Sequence, residues 1–136
     1  MIGVLWATGV GTILYWIAFF STGEVRANAA PCYLAFEHAF PAADGWMAIA
    51  CLAAAEGLRR NREWALLWGI AAGSAVVFLG CMDVLYDLEN DMYAAMTPAE
   101  IGEAVINAWC VLVGPALLAY FWRERGRLGS AAPAVA

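Results

Sequence analysis

Titratable side chains gather in the stretch FEHAFPAADGW, residues 36–46, where a loop leads into a long apolar run. This stretch holds Glu37, Asp44 and the only histidine of the chain, His38. An imidazole titrates near neutral pH, and burial can bring a carboxyl group into the same range. Such groups can donate and accept protons within one pocket, so we predict Asp44, His38 and Asp83 as candidate acid–base residues.

The spacing between Asp44 and Glu56 makes Asp44 the first of these candidates. Only 11 uncharged residues separate the two acids. On a helix they would lie about 18 Å apart, well short of a hydrocarbon core of roughly 30 Å. At least one is therefore submerged, at a cost on the order of 2.5 to 3.5 kcal/mol. Glu56 can lean toward Arg59 or Arg60, whereas the alternative for Asp44 is stabilisation by the free N–H groups of a first helical turn.

Other polar residues are expected at a similar depth at the outer ends of neighbouring helices. Together they predict a polar pocket beneath an acidic rim. The predicted ligand-binding residues are Glu37, Glu103, Asn107, Tyr15 and Trp46.

A metal site at His38 with Glu37 and Asp44 or Asp83 is a weaker hypothesis. The chain has one histidine, and no second nitrogen or sulfur ligand lies near it in sequence. The acidic run DVLYDLEND, residues 83–91, lacks the glycine and the terminal glutamate of a calcium loop. We therefore predict no metal and no cofactor.

The four cysteines form neither a CxxC pair nor a zinc-binding spacing. Cys51 and Cys110 fall near the middle of apolar segments, where we expect them to pack as small apolar side chains. Cys32 and Cys81 lie toward the predicted outer side. They could form a disulfide if that compartment is oxidising, and the sequence leaves this pairing open.

The elements that must position these residues follow from an unusually apolar composition. Hydrophobic residues make up 64% of the 136 residues and charged residues 14%. Each of four apolar segments is close to the roughly 20 residues that span a membrane as a helix. We predict an all-α integral membrane protein, a single four-helix transmembrane bundle over residues 1–128 with a disordered tail at 129–136. The predicted spans are about 1–22, 41–58, 64–86 and 98–122.

Local signals refine these segments. Thr97 to Glu100, TPAE, predicts a capping box at a helix start, and Pro41 suits the first turn of the second span. The stretch YLAFEHAF, residues 33–40, predicts a short interfacial helix. Small and acidic residues share one face of the third span, which includes a GxxxG element and predicts close helix contact. The residues of this face are Gly69, Gly73, Val76, Gly80, Asp83 and Asp87.

Arginine positions predict the orientation. Two clusters of three arginines mark cytoplasmic ends, which gives an up-down-up-down bundle with both termini inside and loops 23–40 and 87–97 outside. These clusters are Arg59, Arg60, Arg62 and Arg123, Arg125, Arg127. Three acids then lie inside, which leaves nine of the 12 on the outer side. The use of arginine without lysine favours a bacterial cytoplasmic membrane. Signal cleavage after ANAA, residues 27–30, is the less favoured alternative.

We predict binding of a lipid-like or small-molecule ligand in an outward-facing acidic pocket, with acid–base chemistry of an isomerase or cyclase type. In architecture alone, the chain resembles small four-helix membrane isomerases of the sterol type. One alternative is a cation-binding or transport subunit that acts as an oligomer, and another is a non-catalytic membrane scaffold or accessory subunit. Whether the protein is an enzyme stays open. Expected partners are membrane lipids, the ligand and further copies of the chain, with no nucleic acid.

Overall fold

The computed structural model describes residues 1–94 and 97–129. Within these ranges all regular secondary structure is helical, with no strand, which confirms the all-helical prediction. The helices are α1 (Ile2–Ser21), α2 (Pro31–Glu37), α3 (Pro41–Arg59), α4 (Trp64–Glu89) and α5 (Pro98–Gly129). Most of the tail predicted at 129–136 lies outside the described residues, and Gly129 ends α5.

Three of these helices, α1, α4 and α5, are long and apolar enough to cross a membrane. They coincide with the first, third and fourth predicted spans, which supports the prediction of a membrane protein. The second predicted span is the 19-residue helix α3, which does not belong to this set. Its two acids, Asp44 and Glu56, lower its hydropathy.

The helices pack in chain order, with α1 against α3, α3 against α4 and α4 against α5. Small residues on the predicted face of α4 make the last contact very close. A Cβ atom at Gly69 would lie 2.2 Å from the Phe121 ring, and one at Gly80 would lie 2.5 Å from the Cβ of Cys110. No side chain fits at either position without displacing its neighbour, so the glycines allow the two backbones to approach.

Helix α3 lies in the middle of this row of helices. Its buried positions are mostly small, which lets it contact α1 on one side and α4 on the other. A Cβ at Gly9 of α1 would lie 2.9 Å from Leu52, and one at Gly57 would lie 2.8 Å from the Cβ of Ala65. The face of α3 that carries Asp44 and Met47 is thereby held at a fixed position between its neighbours.

The predicted local signals appear in the helix ends. The Thr97 N–H donates to Glu100 Oε2 at 2.7 Å, and the Glu100 N–H donates to Thr97 Oγ1 at 3.3 Å, which is the reciprocal geometry of a capping box. Pro41 occupies the first turn of α3. The short helix predicted at 33–40 is α2, which begins two residues earlier and ends at Glu37.

Candidate functional site

A cavity of about 380 Å³ lies between α1, α3, α4 and α5, and α2 contributes to one end of it, which we call the outer end because the sequence predicts that it faces outward. Four carboxylic acids line it, each from a different helix, whereas most of the remaining lining is apolar or aromatic. These acids are Glu37, Asp44, Asp83 and Glu103. Its volume falls in the range of small-molecule sites, which are apolar cavities with a few convergent polar groups.

The polar groups lie at one end of this cavity. Asp83 is six residues from the end of α4 and Glu103 five residues from the start of α5, which places both about 7 to 9 Å inside the bundle. Thr8 and Cys110, which line the same cavity, are 13 and 12 residues from the corresponding helix ends. They therefore lie roughly 18 to 20 Å deep. The cavity is acidic at its outer end and nearly apolar at its deep end.

Asp44 reaches the cavity from the first turn of α3 and is hydrogen-bonded to α1. The indole Nε1 of Trp16 donates to Asp44 Oδ2 at 2.7 Å. A charge-assisted hydrogen bond of this length is stronger than one between neutral groups and fixes the direction of the carboxylate. The structure thus shows a specific partner for Asp44, where the sequence suggested only the free N–H groups of the helix start.

Glu37 is the most buried of the four lining acids, with 6% of its surface exposed. It is the last residue of α2, and the stacking of Phe36 on Tyr86, with ring centroids 3.9 Å apart, holds α2 against α4. Burial, together with the neighbouring carboxyl groups of Glu103 and Asp83, raises the pKa of Glu37 to about 8. Glu37 therefore holds its proton through neutral pH.

A hydrogen-bond network lies beside the cavity between α4 and α5. Asn107 Nδ2 donates to Asp87 Oδ2 at 2.7 Å and to the Tyr93 hydroxyl at 3.0 Å. Asp87 is 1% exposed and Asn107 is 2% exposed. Burial raises the pKa of the Tyr93 phenol, so it stays neutral. The network joins the loop after α4 to the wall of the cavity.

Three buried oxygen atoms at this end of the bundle have no hydrogen-bond partner among the described residues. They are Asp87 Oδ1, Glu103 Oε2 and Asn107 Oδ1. Glu103 and Asn107 line the cavity itself. A buried acceptor without a donor costs about 1 to 3 kcal/mol, and more when it is charged. Unsatisfied acceptors at a cavity wall indicate a place where a donor can bind.

Tyr33 lies on α2, one helical turn before Glu37, and is 1% exposed. Its hydroxyl accepts from the Ala27 N–H at 3.3 Å. Burial, reinforced by the nearby Glu37 carboxyl, raises the pKa of the Tyr33 phenol. Tyr33 therefore stays neutral at neutral pH, and its hydroxyl ties the loop after α1 to α2.

Six of the eight sequence-predicted site residues line the cavity together. They are Tyr15, Glu37, Asp44, Asp83, Glu103 and Asn107. Their convergence places the predicted acid–base pair Asp44 and Asp83 in the same space as the predicted ligand-binding residues.

The structure does not bring His38 and Trp46 to the cavity. His38 follows Glu37 by one residue, a rotation of about 100° on a helix. It is exposed, and its ring stacks on Phe20 with centroids 5.7 Å apart. Trp46 is two residues beyond Asp44, so it points to the other side of α3 and contacts Trp68 with ring centroids 5.6 Å apart. Because Glu37 and Asp44 point into the cavity, the helical rotation points His38 and Trp46 away from it.

Sequence reasoning missed the contribution of α1. Thr8, Thr12 and Trp16 line the cavity beside the predicted Tyr15. Thr8, Thr12 and Trp16 recur every four residues and Tyr15 follows Thr12 by three, so they share one broad helical face, and this pattern was a usable signal. Trp109 of α5 was also missed. Its Nε1 donates to Thr8 Oγ1 at 3.1 Å, a contact between residues distant in sequence that no local pattern indicates.

Apart from Cys110, the remaining candidates lie outside the cavity. All four cysteines are free, with Cys32 and Cys81 exposed and Cys51 buried near the centre of α3. Glu56 is paired with Arg59 at 2.7 Å and also with Arg60. Among the described residues, no group of three or more His, Cys, Asp or Glu side chains is arranged to hold a metal ion.

Comparison with protein-family models, with characterised proteins and with solved structures finds no match to this chain.

Proposed function

We propose that this protein binds a lipid-like or small-molecule ligand in the cavity between α1, α3, α4 and α5. The observation that carries the proposal is the combination of an apolar cavity of about 380 Å³ with four lining carboxylic acids. Buried polar atoms without partners at its wall, among the residues that the structure describes, add a reason for a ligand to bind there. A purely structural polar core would be expected to satisfy its own hydrogen bonds.

Proton-transfer chemistry on the bound ligand is part of the proposal. Asp44 and Asp83 are the proposed acid–base residues, and Glu37 holds a proton through neutral pH because its pKa is about 8. A protonated carboxyl and an ionised carboxyl in one largely apolar cavity can donate a proton to one ligand atom and accept one from another. His38 is exposed and stacked on Phe20, so this chemistry relies on the carboxyl groups.

We further propose that α3 is the second of four spans and that both termini are cytoplasmic, in a bacterial cytoplasmic membrane. The support is the arginine distribution, with Arg59 at the end of α3 and Arg60 and Arg62 between α3 and α4. The cavity acids then lie near the outer leaflet. Reporter fusions after Arg62 should report the cytoplasm and fusions after Asp91 the outside. The reverse pattern would overturn the orientation.

Filling the cavity mouth tests the binding function. Gly11 lines the cavity and a Cβ there would meet nothing within 4 Å, so Gly11→Leu can occupy space without a clash. We expect Gly11→Leu to reduce the lipid or small molecule that copurifies with the protein, as measured by native mass spectrometry of gently extracted samples. The melting temperature should stay close to that of the wild type, because no packed neighbour is displaced.

Gly3→Leu is the matched control for this experiment. Gly3 is on the same helix, is also exposed, and a Cβ there would likewise meet nothing within 4 Å, but it does not line the cavity. It should copurify with the same molecules as the wild type. Equal occupancy in wild type, Gly11→Leu and Gly3→Leu would favour the alternative of a scaffold or accessory subunit.

A further inference from the structure

We propose that the ligand of this cavity is a protonated amine with an apolar body, and that it reaches the cavity from the lipid through an opening between α1 and α5. This inference rests on the proposed binding function and names its ligand class.

The first observation is a set of acids without cationic partners. No arginine of the described ranges lines the cavity, and the nearest arginine in the outer loops, Arg26, is engaged elsewhere. Its Nη2 and Nε donate to the Phe19 carbonyl at 2.9 and 3.2 Å, and its guanidinium lies over the Phe19 ring at 4.9 Å. Glu37 keeps its proton, but the half-buried carboxylates of Asp44, Asp83 and Glu103 have no counter-charge from the described chain. A bound cation would supply one and offset the cost of burying them.

The second observation is independent of charge and concerns hydrogen bonding. Among the described residues, the unsatisfied buried atoms at the cavity are all oxygens, namely Glu103 Oε2 and Asn107 Oδ1, with Asp87 Oδ1 just behind. Asn107 is 2% exposed and already uses its Nδ2 group on Asp87 and Tyr93, so only its acceptor is free. An ammonium group has three N–H donors and no acceptor, which matches this wall. A carboxylate or phosphate head would offer only further acceptors.

The third observation is the shape of the cavity, which requires an apolar body. Its deep end is lined by Thr8, Leu79 and Cys110, at roughly 15 to 20 Å from the outer helix ends. An inorganic cation or a small hydrophilic amine would leave this apolar volume unfilled. A ligand with its ammonium at the outer acids and its apolar part at the deep end fills both.

The fourth observation gives the route. α1 packs on α3 and α5 packs on α4, but α1 and α5 do not approach each other to a comparable extent. The cavity residues along this side are exposed and apolar, namely Ala7, Gly11, Val105, Ile106 and Trp109. The Trp109–Thr8 hydrogen bond of 3.1 Å crosses the gap at its deep end. Because α1 and α5 are both long and apolar enough to span a membrane, this opening faces hydrocarbon.

These observations agree on one orientation. An amphiphilic amine in the outer leaflet already has its head at the interface and its apolar body in the hydrocarbon. Moving sideways between α1 and α5 carries the head to the acids without turning the molecule over. The cavity accepts the amine in the direction in which the membrane presents it.

Matched probes in a neutral detergent test the ligand class on the full chain. Octylamine is cationic at pH 7, octanol is its neutral counterpart and octanoate is its anionic counterpart. We expect isothermal titration calorimetry to show that octylamine binds at least about tenfold more tightly than octanol. Octanol cannot form the hydrogen bond between an ammonium group and a carboxylate, and the loss of one such bond corresponds to a ratio of this size. Octanoate should not bind detectably.

Variants assign the selectivity to the cavity. Asp83→Asn and Glu103→Gln should each lower octylamine affinity by about tenfold and change octanol affinity little. Asp83→Glu, which keeps the charge, should retain the preference for the amine. Glu89→Gln is the matched control, because Glu89 is an exposed acid at the same end of α4 that does not line the cavity. Glu89→Gln should bind octylamine as tightly as the wild type does. Partition of the probes into micelles is the same for every variant, so this comparison also controls for it.

The outcomes separate the inference from the function beneath it. If octanol and octylamine bind equally and Gly11→Leu blocks both, the binding function stands and the amine class is overturned. If Glu89→Gln weakens octylamine as much as Asp83→Asn does, surface charge explains the effect and the inference is again overturned. If neither probe binds and copurifying molecules are unaffected by Gly11→Leu, the proposed function falls as well.

Discussion

The two ends of the bundle treat their acids in opposite ways. At the end opposite to α2, called the inner end, Glu56 is paired with Arg59 and Arg60, and Glu124 with Arg127, in partly exposed contacts three or four residues apart on one helix. At the outer end four acids line one cavity, and no arginine in the described part of the chain lines it. The same side-chain chemistry is thus neutralised locally at one end and left without a cation at the other.

The difference lies in the residues that follow each acid along its helix. Three and four residues after Glu56 come two arginines, whereas the corresponding positions after the cavity acids hold neutral or acidic residues. After Asp44 these are Met47 and Ala48, after Asp83 they are Tyr86 and Asp87, and after Glu103 they are Ile106 and Asn107. Helical neighbours at these spacings are the pairs that interact. An acid without a local partner must find one across the bundle or in a ligand.

The largest expected effect comes from giving the outer end the cation it lacks. Met47 lines the cavity one turn after Asp44, so Met47→Lys would place a tethered ammonium among the acids. We expect octylamine affinity to fall by about 100-fold or more, because an attached group competes at a high effective concentration. Calorimetry with the same probe measures this loss.

Met47→Gln is the control for Met47→Lys, since it has similar length and polarity without the charge. If the cavity acids lack a counter-charge, Met47→Lys should melt at a temperature equal to or above that of Met47→Gln. A lower melting temperature for Met47→Lys than for Met47→Gln in the same detergent would contradict the claim that the cavity acids lack a counter-charge.

An intermediate effect is expected from pH. The Glu37 pKa is raised from 4.5 to about 8, so its favourable contribution is complete below about pH 4.5 and is lost as the pH rises through 8. Glu37→Gln removes this loss. From about pH 5 to 8.5 the melting temperature should decrease in both proteins. The decrease should be smaller in Glu37→Gln than in the wild type, by at least about 3 °C. The ionisable groups that face Glu37 are Tyr33 on its own helix and, from the other elements, Tyr15, Asp44, Asp83, Tyr86, Asp87 and Glu103.

Parallel melting curves over the same pH range decide this prediction. The remaining acids of the cavity titrate in both proteins, so the quantity compared is the difference between the two curves. Curves that stay parallel over the whole range would show that Glu37 ionises normally and that the outer end is better hydrated than its burial indicates.

The smallest expected effect belongs to the inner end. Glu56→Gln breaks the contacts with Arg59 and Arg60, which are exposed and therefore screened by solvent and salt. Its melting temperature should stay within about 1 °C of the wild type at every pH, with no change in octylamine affinity. An effect as large as that of Glu37→Gln would remove the distinction between the two ends.

Much of the helical framework was predictable because its signals are local. TPAE at residues 97–100 marked the start of α5, Pro41 marked the start of α3, and the glycine spacing from Gly69 to Gly80 marked the face that meets α5. Each of these features involves residues within a few turns of one another. Caps and faces of this kind are encoded by backbone geometry and need no knowledge of distant segments.

The site was predictable in part for the same reason. The short spacing between Asp44 and Glu56 and the depth of Asp83 and Glu103 pointed to the outer ends of the helices. His38 and Trp46 were included because they are close in sequence to acids that do line the cavity. On a helix, however, one or two residues change the direction of a side chain by about 100° or 200°.

The sequence by itself determined an apolar, helical chain whose acids are unevenly distributed, because composition, periodicity and capping act over short distances. Only the tertiary structure decided which acids share a cavity, that Trp16 is the partner of Asp44, and that Trp109 meets Thr8 across the gap between α1 and α5. These contacts join residues 28 and 101 positions apart in the chain. These contacts depend on the rotation of each helix about its axis and on the distance between neighbouring helices. Both are set by side chains distant in sequence, such as Phe121, which packs against Gly69.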